Sequence, residues 1–352
     1  MSGGVDSSVA AYLLKKAGHD VIGVSMKTWE TPSCGDERSK SCCSLRDIDD
    51  ARAVAGRLEI PFYVLDLCAE FEKTVIDPFV EEYLRGRTPN PCIECNTHVK
   101  FGVLMKKASE VGASYVATGH YVRCIRDPAE GRFCVAEGVD KVKDQSYVLF
   151  GLSSEQLSKT LFPLGELAKA EVRKLANEIG LRVHSKPDSQ EICFVRDSYA
   201  DFVRSRTGEG TPGEGVFIGP GGEILGKHGG THLFTIGQKK RVHLRGIDNY
   251  YVTKIDSEKN AVHVGPEKDL YCEGLVACRA NWQLSPRTGE IFVKIRSKHQ
   301  KALASIEKIE GERVFVRFAE PQKSVTPGQA AVFYLGDRVL GGGWIDEKWQ
   351  RK

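Results

Sequence analysis

Between residues 21 and 118 the chain alternates short apolar runs with amphipathic segments, and few folds accept that rhythm. The runs at 21–26, 61–66 and 114–118 read as buried strands, while 47–58, 71–84 and 100–111 space their apolar residues as helices do. Strands joined through helices run parallel, because each crossover returns the chain to the same end of the sheet. The expected fold class is α/β, a parallel sheet with crossover helices, from Ser7 to about Ala200.

The pattern opens with MSGGVDSSVAAYLLKKAG. Val9 and Leu13 share one helical face, Asp6 or Ser7 suits the N-cap, and Gly18 ends the helix. The glycines allow a tight turn that aims successive amides at an anion. The helix behind adds the positive end of its dipole, and Ser2, Ser7 and Ser8 add hydroxyl donors. Such a segment is built to hold phosphate. It lacks the Lys-Ser/Thr pair of a Walker A loop and the spacing of a dinucleotide fingerprint, which disfavours γ-phosphate transfer and hydride chemistry. Phosphate loops of α/β proteins follow a buried strand. An apolar strand is therefore expected directly upstream, where the chain as it stands has only Met1.

A length of 352 residues calls for two or three domains. After Arg206 the sequence turns to Gly/Pro punctuation around short strands. From about Tyr271 it alternates strands at 291–295, 313–318, 330–334 and 339–340 with polar turns, the pattern of a small β-barrel or sandwich, of which the barrel is expected. The expected domains are 1–205, 206–270 and 271–352, the middle one small. No apolar run approaches the roughly 18 residues of a membrane span, and Val9–Leu14 is followed by Lys15-Lys16, the wrong order for a secretory signal. A cytoplasmic protein with no membrane partner is expected. Eleven cysteines, an odd number without framework spacing, read as reduced thiols. A net charge of +3 decides nothing about nucleic acid, although basic clusters stand at 239–241 and 294–301.

Cys92 and Cys95 form a CxxC after Thr88-Pro89-Asn90-Pro91, whose prolines favour an extended, rigid loop; Cys193 lies about a hundred residues further on. By itself this CxxC reads as half a zinc site, a redox pair, or chance in a Cys-rich chain.

SGGVDSS at 2–8 resembles the PP-loop of N-type ATP pyrophosphatases. Further stretches narrow the resemblance to the tRNA-specific 2-thiouridylases (MnmA/TrmU): Met26-Lys27 with Trp29, TPNPCIECN (88–96), Lys100-Phe101, TGHY (118–121), KDQSY (143–147), FPLG (162–165), SQEICF (189–194), FTIGQKK (234–240), PGQAAVFY (327–334) and GGGWI (341–345). The resemblance implies an enzyme that uses ATP with Mg2+ to adenylate C2 of the wobble uridine of tRNA. Sulfur from a persulfide-carrying donor protein then replaces that oxygen. It places ATP at Ser2, Gly3, Gly4, Val5, Asp6, Ser7, Ser8, Met26 and Gly119, and the target base at Asn90, Pro91 and Cys92. It places tRNA contacts at His120, Lys143, Asp144, Gln145, Arg296, Ser297 and Gln329, with catalytic thiols at Cys95 and, as the persulfide, Cys193.

Two departures stand out. Ser297 replaces an aromatic residue common at its position, and Cys92 stands where many members carry an aspartate that is the candidate acid/base group. Cys92, Cys95 and Cys193 are thus also compatible with three ligands of a [4Fe–4S] cluster, as in cluster-dependent tRNA thiolases of the wider superfamily, or less readily with zinc. The rival readings are another PP-loop adenylating enzyme acting on a small molecule, and a noncatalytic RNA-binding or iron–sulfur protein. Cys34, Cys42 and Cys43 read as ordinary thiols of a polar loop, and Cys68, Cys124, Cys134, Cys272 and Cys278 as packed apolar residues.

Overall fold

The structure is a computed structural model that describes residues 1–29, 45–188, 192–195, 198–240, 242, 244 and 249–349. The chain forms two compact units. The first comprises 1–76, 91–196 and 337–339, and the second 77–90, 197–336 and 340–352. Cys34, Cys42, Cys43, Arg241 and the first three residues of the SQEICF stretch lie outside the described residues.

In the first unit, α1 (Val5–Lys16) starts at Gly4 with no side-chain cap. Asp6 and Ser7, the expected caps, sit inside the first turn, with Ser7 Oγ donating to Gly4 O at 3.3 Å. The helix buries Val5, Val9, Ala10 and Ala11 against Val172 and Ala176 of helix Lys169–Glu178 and against Val54 and Leu58. Gly18 follows at φ +87°, the left-handed position expected at its end. The strands are β1 (Gly23–Lys27), β2 (Phe62–Asp66), β3 (Val116–Ala117), β4 (Val122–Arg126), β5 (Phe133–Glu137) and β6 (Thr160–Leu161), with α2 (Leu45–Arg57) between the first two. β1 pairs β2, and β3 pairs β6, both in parallel. The expected parallel sheet is therefore present as two separate two-stranded pairs. The antiparallel β4–β5 hairpin was not expected from the apolar rhythm. Its signal is the turn chemistry of Asp127-Pro128 to Gly131, where the Asp127 carboxylate accepts from the Ala129 and Glu130 amides and Gly131 sits at φ +67°.

The second unit gathers helix Asp77–Leu84 with helix Tyr199–Thr207 through aromatic contacts. Tyr83 stacks on Tyr199 at 4.7 Å, and Phe79 meets Phe202 edge-on at 6.1 Å. β7 (Gly215–Ile218), β8 (Ile224–His228), β9 (Tyr251–Asp256) and β10 (Ala261–Gly265) form a sheet in the order β8-β7-β10-β9 over a core of Phe217, Phe234, Leu244, Val252, Val262 and Val264. The remaining strands are β11 (Tyr271–Trp282), β12 (Gly289–Lys294), β13 (Ala302–Glu310), β14 (Arg313–Lys323), β15 (Ala330–Leu335) and β16 (Arg338–Trp349). They run in the order β11-β14-β13-β12-β15-β16, and β16 pairs β11, so the six strands close into a barrel without a free edge. The barrel expected from the sequence is thus present, with β11 and β13 added to the anticipated strands.

His228 and His232 are 7% and 1% exposed, and three of their ring nitrogens have no hydrogen-bond partner among the described residues. Burial pushes both imidazoles below the ordinary histidine value. Their stabilising contribution is complete above the unfolded value of about 6.5 and is lost as pH falls through the folded values. The melting temperature of the wild type should accordingly drop further between pH 7.5 and 5 than that of His232→Phe, measured by scanning calorimetry. Equal drops would remove the buried imidazole as the cause.

Candidate active site

Gly3 turns the phosphate loop at φ +65°, and a Cβ there would stand 2.2 Å from the carbonyl oxygen of Asp47 at the start of α2. No other residue satisfies both the dihedral and the space. Gly119, just after β3, is pressed on the loop from another direction, since its Cβ would lie 2.7 Å from the Asp6 carbonyl carbon and 2.8 Å from the Ser7 amide. Met1 lies along β1, where Ser25 Oγ donates to Met1 O at 2.5 Å, so Met26 is carried by a strand that touches the start of the loop. By helix geometry the amides of Val5, Asp6 and Ser7 have no acceptor inside α1, while Gly4 O takes the hydroxyls of Ser7 and Ser8. The arrangement is a glycine turn with helix amides that have no acceptor inside α1, a surface suited to an anion, while the Ser7 and Ser8 hydroxyls are taken up by Gly4 O.

Charge behind the loop is organised by residues the sequence reading passed over. Lys169 Nζ donates to both oxygens of Asp6 at 2.8 Å and stands 2.7 Å from Asp188. Tyr121 OH donates to Asp6 at 2.6 Å; burial and the Asp6 charge hold its phenol protonated. Asp188 also receives Lys143 at 2.7 Å and Arg173 at 3.2 Å. Burial alone would raise the Asp188 carboxyl, but Lys143 and Lys169 bring it down to about 2. On the other side Lys186 Nζ bridges Gly3 O (3.0 Å), Asp47 (2.6 Å) and Asp50 (2.6 Å). Burial opposes the Lys186 charge, and the two carboxylates overcome it, raising its pKa. Tyr121 belongs to the TGHY stretch, which was a usable signal. Lys169 lies in an unremarkable Ala/Lys/Glu helix start, where composition points only to solvent.

Residues 87–90 carry no regular secondary structure, and Pro91 then opens a helix at the position where its missing N–H costs nothing. Cys92 lies in that first turn and Cys95 begins a π-helical stretch, Cys95–Val103, before the α-helix resumes at Leu104. The CxxC therefore sits on a helix and not in the loop itself. Cys92 is exposed, yet the surrounding protein desolvates its thiol and raises its pKa, with the Lys100 ammonium pulling the other way. The same Lys100 adds to the burial that drives His120 well below its ordinary value, so Cys92 and His120 both feel one cation. His120 is 8% exposed, takes Thr118 Oγ1 at 2.8 Å and packs near Phe101 and Phe162. Cys193 is half-buried and is held by its neighbour Phe194, whose ring meets Phe71 edge-on at 5.7 Å. Cys92, Cys95 and Cys193 do not fit a cluster as they stand: among the described residues no group of three or more His, Cys, Asp or Glu side chains is placed to hold a metal ion. Both Cys124 and Cys134 are pushed up by burial, to about 11 and about 12, and are packing groups.

The expected tRNA contacts are mostly engaged within the protein. Lys143 binds Asp188, Asp144 accepts from Gly138 N and Ser146, and Gln145 accepts from the Tyr121 amide at 3.0 Å. Arg296 donates to Ile236 O, Ser324 O and Thr326 Oγ1, and Gln329 to Thr88 O and Pro89 O. Ser297 is exposed in a turn, and Lys239 and Lys240 are exposed, Lys239 reaching Asn249 Oδ1 at 2.6 Å.

Comparison with known proteins places this geometry. Residues 1–197 match the family described as tRNA methyl transferase HUP domain, 200–266 the tRNA methyl transferase PRC-barrel domain, and 272–345 the aminomethyltransferase beta-barrel domain. The chain is 50% identical to the tRNA-specific 2-thiouridylase MnmA of Geobacter metallireducens, over 98% of this chain and 95% of the relative. It is 51% identical to that of Geotalea uraniireducens (98% and 93%) and 46% identical to that of Lachnoclostridium phytofermentans (98% and 98%). A phosphate loop, half-buried thiols and full-length similarity converge on one conclusion: the chain belongs to the tRNA-specific 2-thiouridylase family.

Proposed function

We propose that this protein replaces the C2 oxygen of the wobble uridine of tRNA by sulfur at the expense of ATP. The observation that carries the reading is the glycine turn at Gly3 and Gly4, with unpaired α1 amides and Lys169 and Lys186 behind it. This is a donor set for a polyphosphate in a protein whose relatives are named for uridine thiolation. The ATP phosphates rest on residues 2–8, and the adenosine lies near Met26 and Gly119. Mg2+ would supply charge neutralisation to the bound phosphates; Asp6 is the loop's carboxylate, and Lys169 covers both of its oxygens.

The uridine O2 attacks the α-phosphorus, pyrophosphate leaves, and C2 gains a good leaving group. The terminal sulfur of a Cys193 persulfide, loaded by a persulfide-carrying donor protein, attacks C2, and AMP departs with the former uridine oxygen. The Cys95 thiolate then attacks the Cys193 sulfur. A Cys95–Cys193 disulfide forms, the S–S bond to the nucleoside breaks with its electron pair on the new sulfur, and an external thiol resets the pair. Cys92, whose raised pKa keeps it protonated at neutral pH, walls the base and does not attack it. The 1–205, 206–270 and 271–352 stretches serve as the catalytic, central tRNA-binding and C-terminal domains of a cytoplasmic enzyme. Among the described residues no helix is long and apolar enough to cross a membrane.

Protein incubated with ATP, a persulfide donor and unmodified tRNA should form 2-thiouridine with AMP and pyrophosphate, and Cys95→Ser and Cys193→Ser should each fall to background. ADP as the main product, or full turnover by Cys193→Ser, would sink the scheme. Iron-depleted protein should keep its rate; loss of turnover on iron removal would return the thiols to a cluster. Replacing Lys169 by Met leaves Asp6 and Asp188 short of a shared cation next to the phosphates. KM for ATP should then rise at least about tenfold, the equivalent of ~1.4 kcal/mol. An unchanged KM would show that the ion lattice does not shape the nucleotide site.

A further inference from the structure

The Thr88-Pro89-Asn90-Pro91 segment has an unusual backbone problem. Outside any helix or strand up to Asn90 and interrupted by prolines, it joins no sheet ladder, so its carbonyls need donors from elsewhere. Within the second unit that need is met by residues 327–329 and 345–346. The Thr88 amide donates to Pro327 O at 2.9 Å. The Gln329 carboxamide nitrogen donates to Thr88 O at 2.8 Å and reaches Pro89 O at 3.4 Å, one group serving two consecutive carbonyls. Arg87 holds the other end, donating to Glu82 at 2.8 Å, Asp346 at 3.0 Å and Ile345 O at 3.0 Å.

The holding residues are themselves fixed. Gly328 N donates to Ile345 O at 2.9 Å, and Ile345 N donates to Gln329 O at 2.7 Å. Gly328 sits at φ +89°, and a Cβ there would come within 2.8 Å of the Thr88 nitrogen, so glycine is required for this close approach. Both amide hydrogens of Gln329 point to protein carbonyls.

We propose that Gln329 is a positioning residue, clamping Thr88 and Pro89 and thereby fixing Asn90, the first of the three residues assigned to the target base (Asn90, Pro91 and Cys92). This rests on the thiolation reading for the role of those three residues, but not for the clamp itself. A clamp of this kind acts on the rate at which a bound base reacts. A direct tRNA contact would act on how tightly tRNA binds.

The test compares wild type with Gln329→Leu, and with Gly328→Ala as an independent way to push the segment off its seat. Amide hydrogen exchange followed by mass spectrometry should show the Thr88 and Asn90 amides exchanging at least about tenfold faster in both variants, the size expected for losing one or two buried hydrogen bonds. The single-turnover thiolation rate should fall about tenfold, while the tRNA Kd from filter binding stays within about twofold. Unchanged exchange would overturn the clamp. So would a weakened Kd with an unchanged single-turnover rate, the signature of a direct tRNA ligand. Exchange needs no substrate: a wild type that forms no 2-thiouridine would overturn the reaction assignment, while the clamp would still be decided by exchange alone.

Discussion

The Asp6 carboxylate is the point on which the nucleotide half of this protein turns. It lies within the first turn of α1, is gripped on both oxygens by Lys169, and receives the Tyr121 hydroxyl. Those partners come from helix Lys169–Glu178 and from the stretch after β3, so one side chain joins three separate pieces of chain around the phosphate loop. Lys169 is 10% exposed at its side chain, and a cation so placed is stable only because Asp6 and Asp188 share it. The loop's glycines do the complementary work. Gly3 and Gly119 let backbone from α2 and β3 come so close that no side chain fits, which leaves the α1 amides as the surface offered to an anion.

Much of this was legible in the sequence, and the failures have physical causes. The strand–helix alternation of residues 21–118 signals a parallel α/β unit, and the parallel β1–β2 and β3–β6 pairs bear it out. The turn-rich tail signals a barrel, which closes through β16 on β11. Pairing between strands distant in the chain was not legible: nothing in Val116–Ala117 states that it runs beside Thr160–Leu161. The glycine turn ahead of α1 was legible from local spacing alone, and Gly3 at φ +65° makes it. Lys169, Asp188 and Lys186 were not, since an isolated lysine or aspartate reads as solvated until the fold supplies its counter-ion.

Cys92 illustrates how local and tertiary signals divide. Proline chemistry points to an extended loop, and 87–90 carry no regular structure, but the same ring preorganises Pro91 for a helix start, which moves Cys92 and Cys95 onto a helical face. On that face Lys100 becomes the common neighbour of Cys92 and His120, a grouping that spacing alone does not reveal. The site thus separates its tasks. In the proposed reaction the loop takes the phosphates and the thiols carry sulfur, while the backbone just before Asn90 is held by hydrogen bonds.

The central claim is that adenylation occurs on the uridine oxygen itself, and oxygen tracing tests it most directly. With tRNA carrying 18O at C2 of the wobble uridine, a single turnover with ATP and a persulfide donor should deliver one 18O into the phosphate of AMP, read by mass spectrometry. Recovery of the label in water, with unlabelled AMP formed alongside 2-thiouridine, would contradict the account.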